Sequence, residues 1–65
     1  MKILLWDIRH EKNVTLVELS RMTGISKTTL NDIENGKISP RLSALESIAR
    51  SLNIRITDTF ESDYK

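Results

Sequence analysis

Apolar residues recur at three- and four-residue intervals along most of the chain, and polar residues and glycines cut that pattern into short helical segments. The sharpest cut lies between Thr15 and Asn35. Thr15 opens a helix there: its hydroxyl caps a free backbone N–H while Glu18, three residues on, reaches back in a capping box. Leu16 and Leu19 supply the apolar positions. Gly24 ends the run, because a helix C-terminus commonly needs a positive φ that a Cβ would resist. Ile25 plugs the angle that follows, and Ser26 caps a second helix, Lys27 to Asn35, stopped by Gly36. Two short helices about one tight turn make a helix-turn-helix.

Either side of this unit the periodicity continues. A first helix is expected from about Lys2 to Lys12, with Leu5 and Ile8 facing the core and Leu4 alongside, before Asn13 and Val14 turn the chain. After Lys37-Ile38-Ser39-Pro40, a fourth helix runs from Arg41 or Leu42 to Leu52, with Leu42, Leu45, Ile48, Ala49 and Leu52 read as core. Asn53 ends it in the left-handed region. Ile54 and Ile56 return to the core, and Thr57 caps a short fifth helix from Asp58 to about Ser62. The expectation is an all-α fold, a compact bundle of five short helices. Residues 1–65 are expected to form one domain, with no separate effector or oligomerisation domain. Ile3, Trp6 and His10 make the first helix more apolar than one packed face requires. Either the C-terminal segment with Ile56, Phe60 and Tyr64 folds back over them, or a second copy does.

The third helix has a face that packing does not explain. At about 100° per residue, Leu30 and Ile33 point one way, whereas Lys27, Thr28, Asn31, Asp32 and Asn35 gather on the other. Thr and Asn are poorer helix formers than Ala, by about half a kcal/mol each. A merely solvated face would more often carry Glu, Lys and Ala. Composition narrows the classes further. With 65 residues, only about 60% of the unfolded surface is buried on folding. The absence of Cys removes a disulfide framework and a Cys-based zinc site. The longest apolar run, Ile3 to Trp6, is too short for a membrane span or signal-peptide core, so a cytoplasmic protein is expected. Ten basic against nine acidic side chains leave a net charge of +1. Between Arg21 and Arg41, however, Arg21, Lys27, Lys37 and Arg41 outnumber Asp32 and Glu34. One histidine, His10, beside Asp7 and Glu11, makes neither a metal site nor a catalytic arrangement, and no cofactor motif is present.

The run Arg9, Thr15 to Leu19, Gly24-Ile25-Ser26, Leu30, Ile33-Glu34-Asn35-Gly36-Lys37, Ser39-Pro40 and Leu45, Ile48-Ala49, Leu52 resembles the phage repressor and Cro-like helix-turn-helix family, the XRE family. Ile33 to Lys37 followed by a proline is its most diagnostic part. The resemblance implies a lambda-repressor-like DNA-binding domain and an ion pair, Arg9 with Glu34, tying helix 1 to the end of the recognition helix. Leu16 stands where members usually carry a Gln that touches the DNA backbone and braces the recognition helix. Ser20 and Thr23 replace a usual Ala and a frequent Leu, and Asn53 a common Gly.

On that reading the chain is a sequence-specific transcriptional regulator of double-stranded DNA. It is expected to act as a repressor, as a homodimer on a palindromic operator, with its third helix in the major groove. Lys27, Thr28, Thr29, Asn31 and Asp32 are the candidate base-reading residues. Lys suits guanine O6 or N7, Asn can pair with adenine, and Asp can only accept, which suits cytosine N4. Thr15, Asn35, Lys37 and Arg41 are the candidate backbone contacts. The rival is an antitoxin-like protein-interaction module that grips a partner through Ile3 and Trp6 and binds DNA secondarily. No enzyme chemistry is expected.

Overall fold

The computed structural model describes residues 1–65. Four α-helices follow one another: α1 (Leu5–Glu11), α2 (Leu16–Thr23), α3 (Lys27–Glu34) and α4 (Leu42–Leu52). A 3-10 turn at Ile56–Asp58 comes next, and two short strands, β1 (Lys2–Ile3) and β2 (Phe60–Glu61), tie the ends of the chain together. No helix is long and apolar enough to cross a membrane.

The core is the inner stripe of each helix. Leu5, Leu19, Leu30, Ile33, Ile48 and Leu52 form one buried cluster, against which Ile3, Ile8, Val14, Leu16, Ile25 and Ile54 pack from its edges. Leu45 and Ala49 are buried as well. α2 packs on both α3 and α4, so the helix-turn-helix is held against the rest of the core through its first helix.

Local chemistry sets the helix ends. Around α2 the capping box is complete: Glu18 N–H donates to Thr15 Oγ1 and Thr15 N–H to Glu18 Oε1, both at 3.1 Å. Gly24 takes φ 77°, a left-handed conformation that a side chain would resist, and its N–H donates to the Ser20 carbonyl at 2.9 Å. Ser26 Oγ accepts from Thr29 N–H at 3.2 Å to open α3. Asn53 closes α4 at φ 56°, with Ile54 N–H returning to the Ala49 carbonyl at 2.9 Å.

Four expectations need correction. The first helix starts at Leu5, not Lys2, because Lys2 and Ile3 pair antiparallel with Glu61 and Phe60, and Leu4 N–H donates to the Thr59 carbonyl. That pairing also removes the fifth helix. Asp58 caps a single 3-10 turn by accepting from Arg55 N–H at 3.0 Å, after which the chain is extended through Phe60. Leu42 is 73% exposed, although it shares the apolar spacing of α4. Its first turn overhangs the core, which begins at Leu45. Finally, the tail meets Ile3, opposite Phe60 in the strand pair, but leaves Trp6 and His10 on α1 exposed, and its own Tyr64 is exposed as well.

Candidate nucleic-acid interface

Helix α3 divides cleanly into two faces. Leu30 and Ile33 are buried, while Lys27 and Thr28 stand exposed in the first turn and Asn31 and Asp32 are half-buried one turn on. Thr29 is also half-buried, and its hydroxyl oxygen accepts from Ser26 Oγ at 2.9 Å, leaving its own hydrogen and its methyl group available. Asn31 Oδ1 accepts from Asn35 Nδ2 at 3.2 Å. Neither Lys27, Thr28 nor the Asp32 carboxylate has a hydrogen-bonding partner within the chain, so this face offers two donors and an acceptor ready for a ligand.

The frame behind that face centres on Arg9. Its guanidinium grips Glu34 with two bonds, Nε to Oε2 at 2.9 Å and Nη2 to Oε1 at 2.8 Å, and its third nitrogen donates to the Val14 carbonyl at 3.0 Å. The two charged side chains are only 10% and 5% exposed. One planar fork therefore fixes the entry to α2 against the exit from α3. Thr15 and Asn35 are the next residues along from the two groups Arg9 holds, so their separation is set by this clamp.

The pair also changes the charge that a ligand would meet. Glu34 is neutralised inside the protein, whereas none of Arg21, Lys27, Lys37 and Arg41 enters an ion pair. All four are exposed, and Asp32 is the remaining carboxylate in that stretch. The motif region is thus more positive on its surface than its sequence charge suggests. Such a surface suits a polyanion.

Sequence reading missed how the turn is held. Ser20 Oγ donates to the Ile25 carbonyl at 2.6 Å, Thr23 Oγ1 donates to the Leu19 carbonyl at 2.8 Å, and Ile25 N–H donates to Thr23 Oγ1 at 3.1 Å. Ser20 and Thr23 therefore satisfy backbone groups around Gly24. The clue was the clustering of hydroxyl residues about a glycine. Leu16 packs against the core cluster with its side chain half-buried, so an apolar contact stands where the family resemblance implies a Gln. Glu18 has its carboxyl held below the usual carboxylate range, chiefly by the backbone N–H of Thr15 and then by its hydroxyl.

Comparison with known proteins identifies the domain. Residues 4–63 match the family described as the Cro/C1-type HTH DNA-binding domain. The chain is 38% identical over 50 residues to an immunity repressor protein of Bacillus phage phi105, covering 77% of this chain and 35% of that protein. It is 39% identical over 51 residues to the ImmF control region 10 kDa protein of the same phage, covering 78% and 57%. An uncharacterised HTH-type transcriptional regulator of Archaeoglobus fulgidus is 33% identical over 63 residues, covering 97% and 89%. The chain thus spans about a third and just over half of the two phage proteins, and most of the archaeal one. The matched family is one of DNA-binding transcription-regulator domains, which is not an enzyme class. The chain belongs to the Cro/C1-type helix-turn-helix family, the phage-repressor and Cro-like DNA-binding domains of transcription regulators.

Proposed function

We propose that this chain is a cytoplasmic transcriptional repressor that binds a palindromic operator as a homodimer, laying α3 in the major groove while α2 crosses the backbone above it. The observation that carries the reading is the outward face of α3, polar and without internal partners at Lys27, Thr28 and Asp32, on a helix whose opposite face is buried. Lys27, Thr28, Thr29, Asn31 and Asp32 address base edges. Thr15, Asn35, Lys37 and Arg41 address phosphates, and the Arg9–Glu34 clamp holds the two groups in register. The name of the phage phi105 relative supports repression. A dimer follows from the arithmetic of recognition, since one helix reads too few base pairs to stand out in a genome.

Selection of bound sequences from a random duplex library, repeated at two salt concentrations, tests the proposal. The expected winner is a palindrome with half-sites about 34 Å apart, or a multiple of that, and an affinity that falls steeply with salt. A selection that enriches nothing would overturn it. Trp6 supports a second reading. It is 53% exposed and stacks on His10 with ring centroids 3.7 Å apart, and a large aromatic held rigid at the surface suits a protein contact. In an antitoxin-like module of that kind, a partner would co-purify with the wild type and be lost on Trp6→Ala, with DNA binding retained.

A further inference from the structure

Asn31 and Asn35 sit one turn apart on the outward side of α3, and their amides are bonded in one sense: Asn35 Nδ2 donates to Asn31 Oδ1 at 3.2 Å. An amide is an acceptor at one end and a double donor at the other. With its oxygen engaged by Asn35, Asn31 has its nitrogen and both N–H groups without a partner in the chain. A free Asn reads adenine by offering donor and acceptor together. Asn31 held by Asn35 is a donor first.

We infer that Asn35 is a positioning residue: it orients the Asn31 amide so that N–H groups face the groove, and thereby selects a base presenting acceptors, guanine or thymine, at the position Asn31 meets. This rests on the reading of α3 as the base-reading helix. It gives Asn35 a part in specificity besides any phosphate contact, and the two parts leave different signatures. A lost phosphate contact weakens every sequence alike, whereas a lost orientation changes the preferred base at one position. Asn35 is exposed and its φ of −89° is open to any residue, so substitution there leaves the fold in place.

The substitution Asn35→Asp separates them. A carboxylate only accepts, so the Asn31 amide must turn its nitrogen toward position 35 and present its oxygen to the DNA. The preferred base should then change to one with an exocyclic amine, cytosine or adenine. Selections from a random duplex library would be run in parallel on wild type, Asn31→Ala, Asn35→Ala and Asn35→Asp. Asn31→Ala should locate the affected base pair. At that pair Asn35→Ala should lose about tenfold in discrimination and Asn35→Asp should change the preferred base, with the other positions intact. If Asn31→Ala relaxes one position while both Asn35 variants keep the wild-type base there, the positioning role is overturned and base reading by α3 stands. If the wild type itself enriches no sequence, the base-reading function fails, and the positioning role with it.

Discussion

Helices α2 and α3 have the same length and adjoin one turn, yet only α2 is charged as a helix should be. α2 places Glu18 in its first turn and Arg21 in its last, each complementing the helix dipole. α3 reverses this: it begins on Lys27, has no acid in its first turn and no base in its last, and ends with Asp32 and Glu34. Its outer positions are filled with Thr and Asn, which favour a helix less than Ala. Glu34 is neutralised by Arg9 from another helix. α2 is built to be stable, while α3 is held in place by its neighbours and spends its own surface on something else. A local rule broken on one face, with compensation supplied from outside, is what a binding face looks like.

The largest effect should come from removing that outside support. Glu34→Ala strands the Arg9 guanidinium in a nearly closed site and should destabilise the fold by about 3 to 5 kcal/mol, a large share of what a chain of this size possesses. Arg9→Met combined with Glu34→Leu should cost less than either single change. Urea denaturation of wild type, Arg9→Met, Glu34→Leu and the double variant gives the coupling directly, and a coupling near zero would mean that α3 needs no clamp.

Next in size is Leu16→Gln, which introduces the residue the family resemblance implies at this position. Because Leu16 packs on the core from the first turn of α2, the change should cost about 1 kcal/mol of stability and gain no DNA affinity. Thermal melting and a binding titration of the same variant decide it; tighter binding would show that α2 has surrendered a DNA contact. Smaller in stability, and sharper as a comparison, is Lys27→Glu. It gives α3 the acidic first turn that α2 has, and should raise stability by about 0.3 to 1 kcal/mol while abolishing DNA binding. A variant that is both no more stable and still able to bind would erase the distinction between the helices.

The smallest effect belongs to the α2 cap. Glu18 titrates lower in the folded chain than in the unfolded one, so its contribution is present above the unfolded carboxylate pKa and lost as pH falls through the lower folded value. Glu18→Gln should therefore lower the melting temperature slightly at neutral pH, and the difference from wild type should vanish in acid. A difference that persists at the lowest pH would assign the loss to packing and not to the carboxylate.

How much of this could be read from sequence depends on how local the cause is. Thr15 with Glu18, Gly24, Ser26 and Asn53 each act within a few residues, and the helix boundaries they set were legible. The Lys2–Ile3 pairing with Phe60–Glu61 joins opposite ends of the chain. Nothing near Lys2 announces it, so periodicity alone extends helix 1 too far and implies a fifth helix where one turn exists. Leu42 shows a different gap: periodicity says which way a side chain points, but not how far the neighbours extend to cover it. On α3, which residues share the outward face is legible from their helical spacing, whereas the bonds that orient them, Ser26 to Thr29 and Asn35 to Asn31, depend on rotamers that spacing leaves open.

Asp32 is the most exacting point on that face, because a carboxylate near DNA is repelled by phosphates unless it accepts a hydrogen bond. The most direct measurement compares the sites selected by wild type and by Asp32→Asn at the same salt. Direct reading of cytosine N4 predicts a loss of discrimination worth about 1 to 3 kcal/mol at one base pair per half-site, with the remaining positions unchanged. An unchanged base profile at every position, whether or not overall affinity rises, would contradict base reading by Asp32.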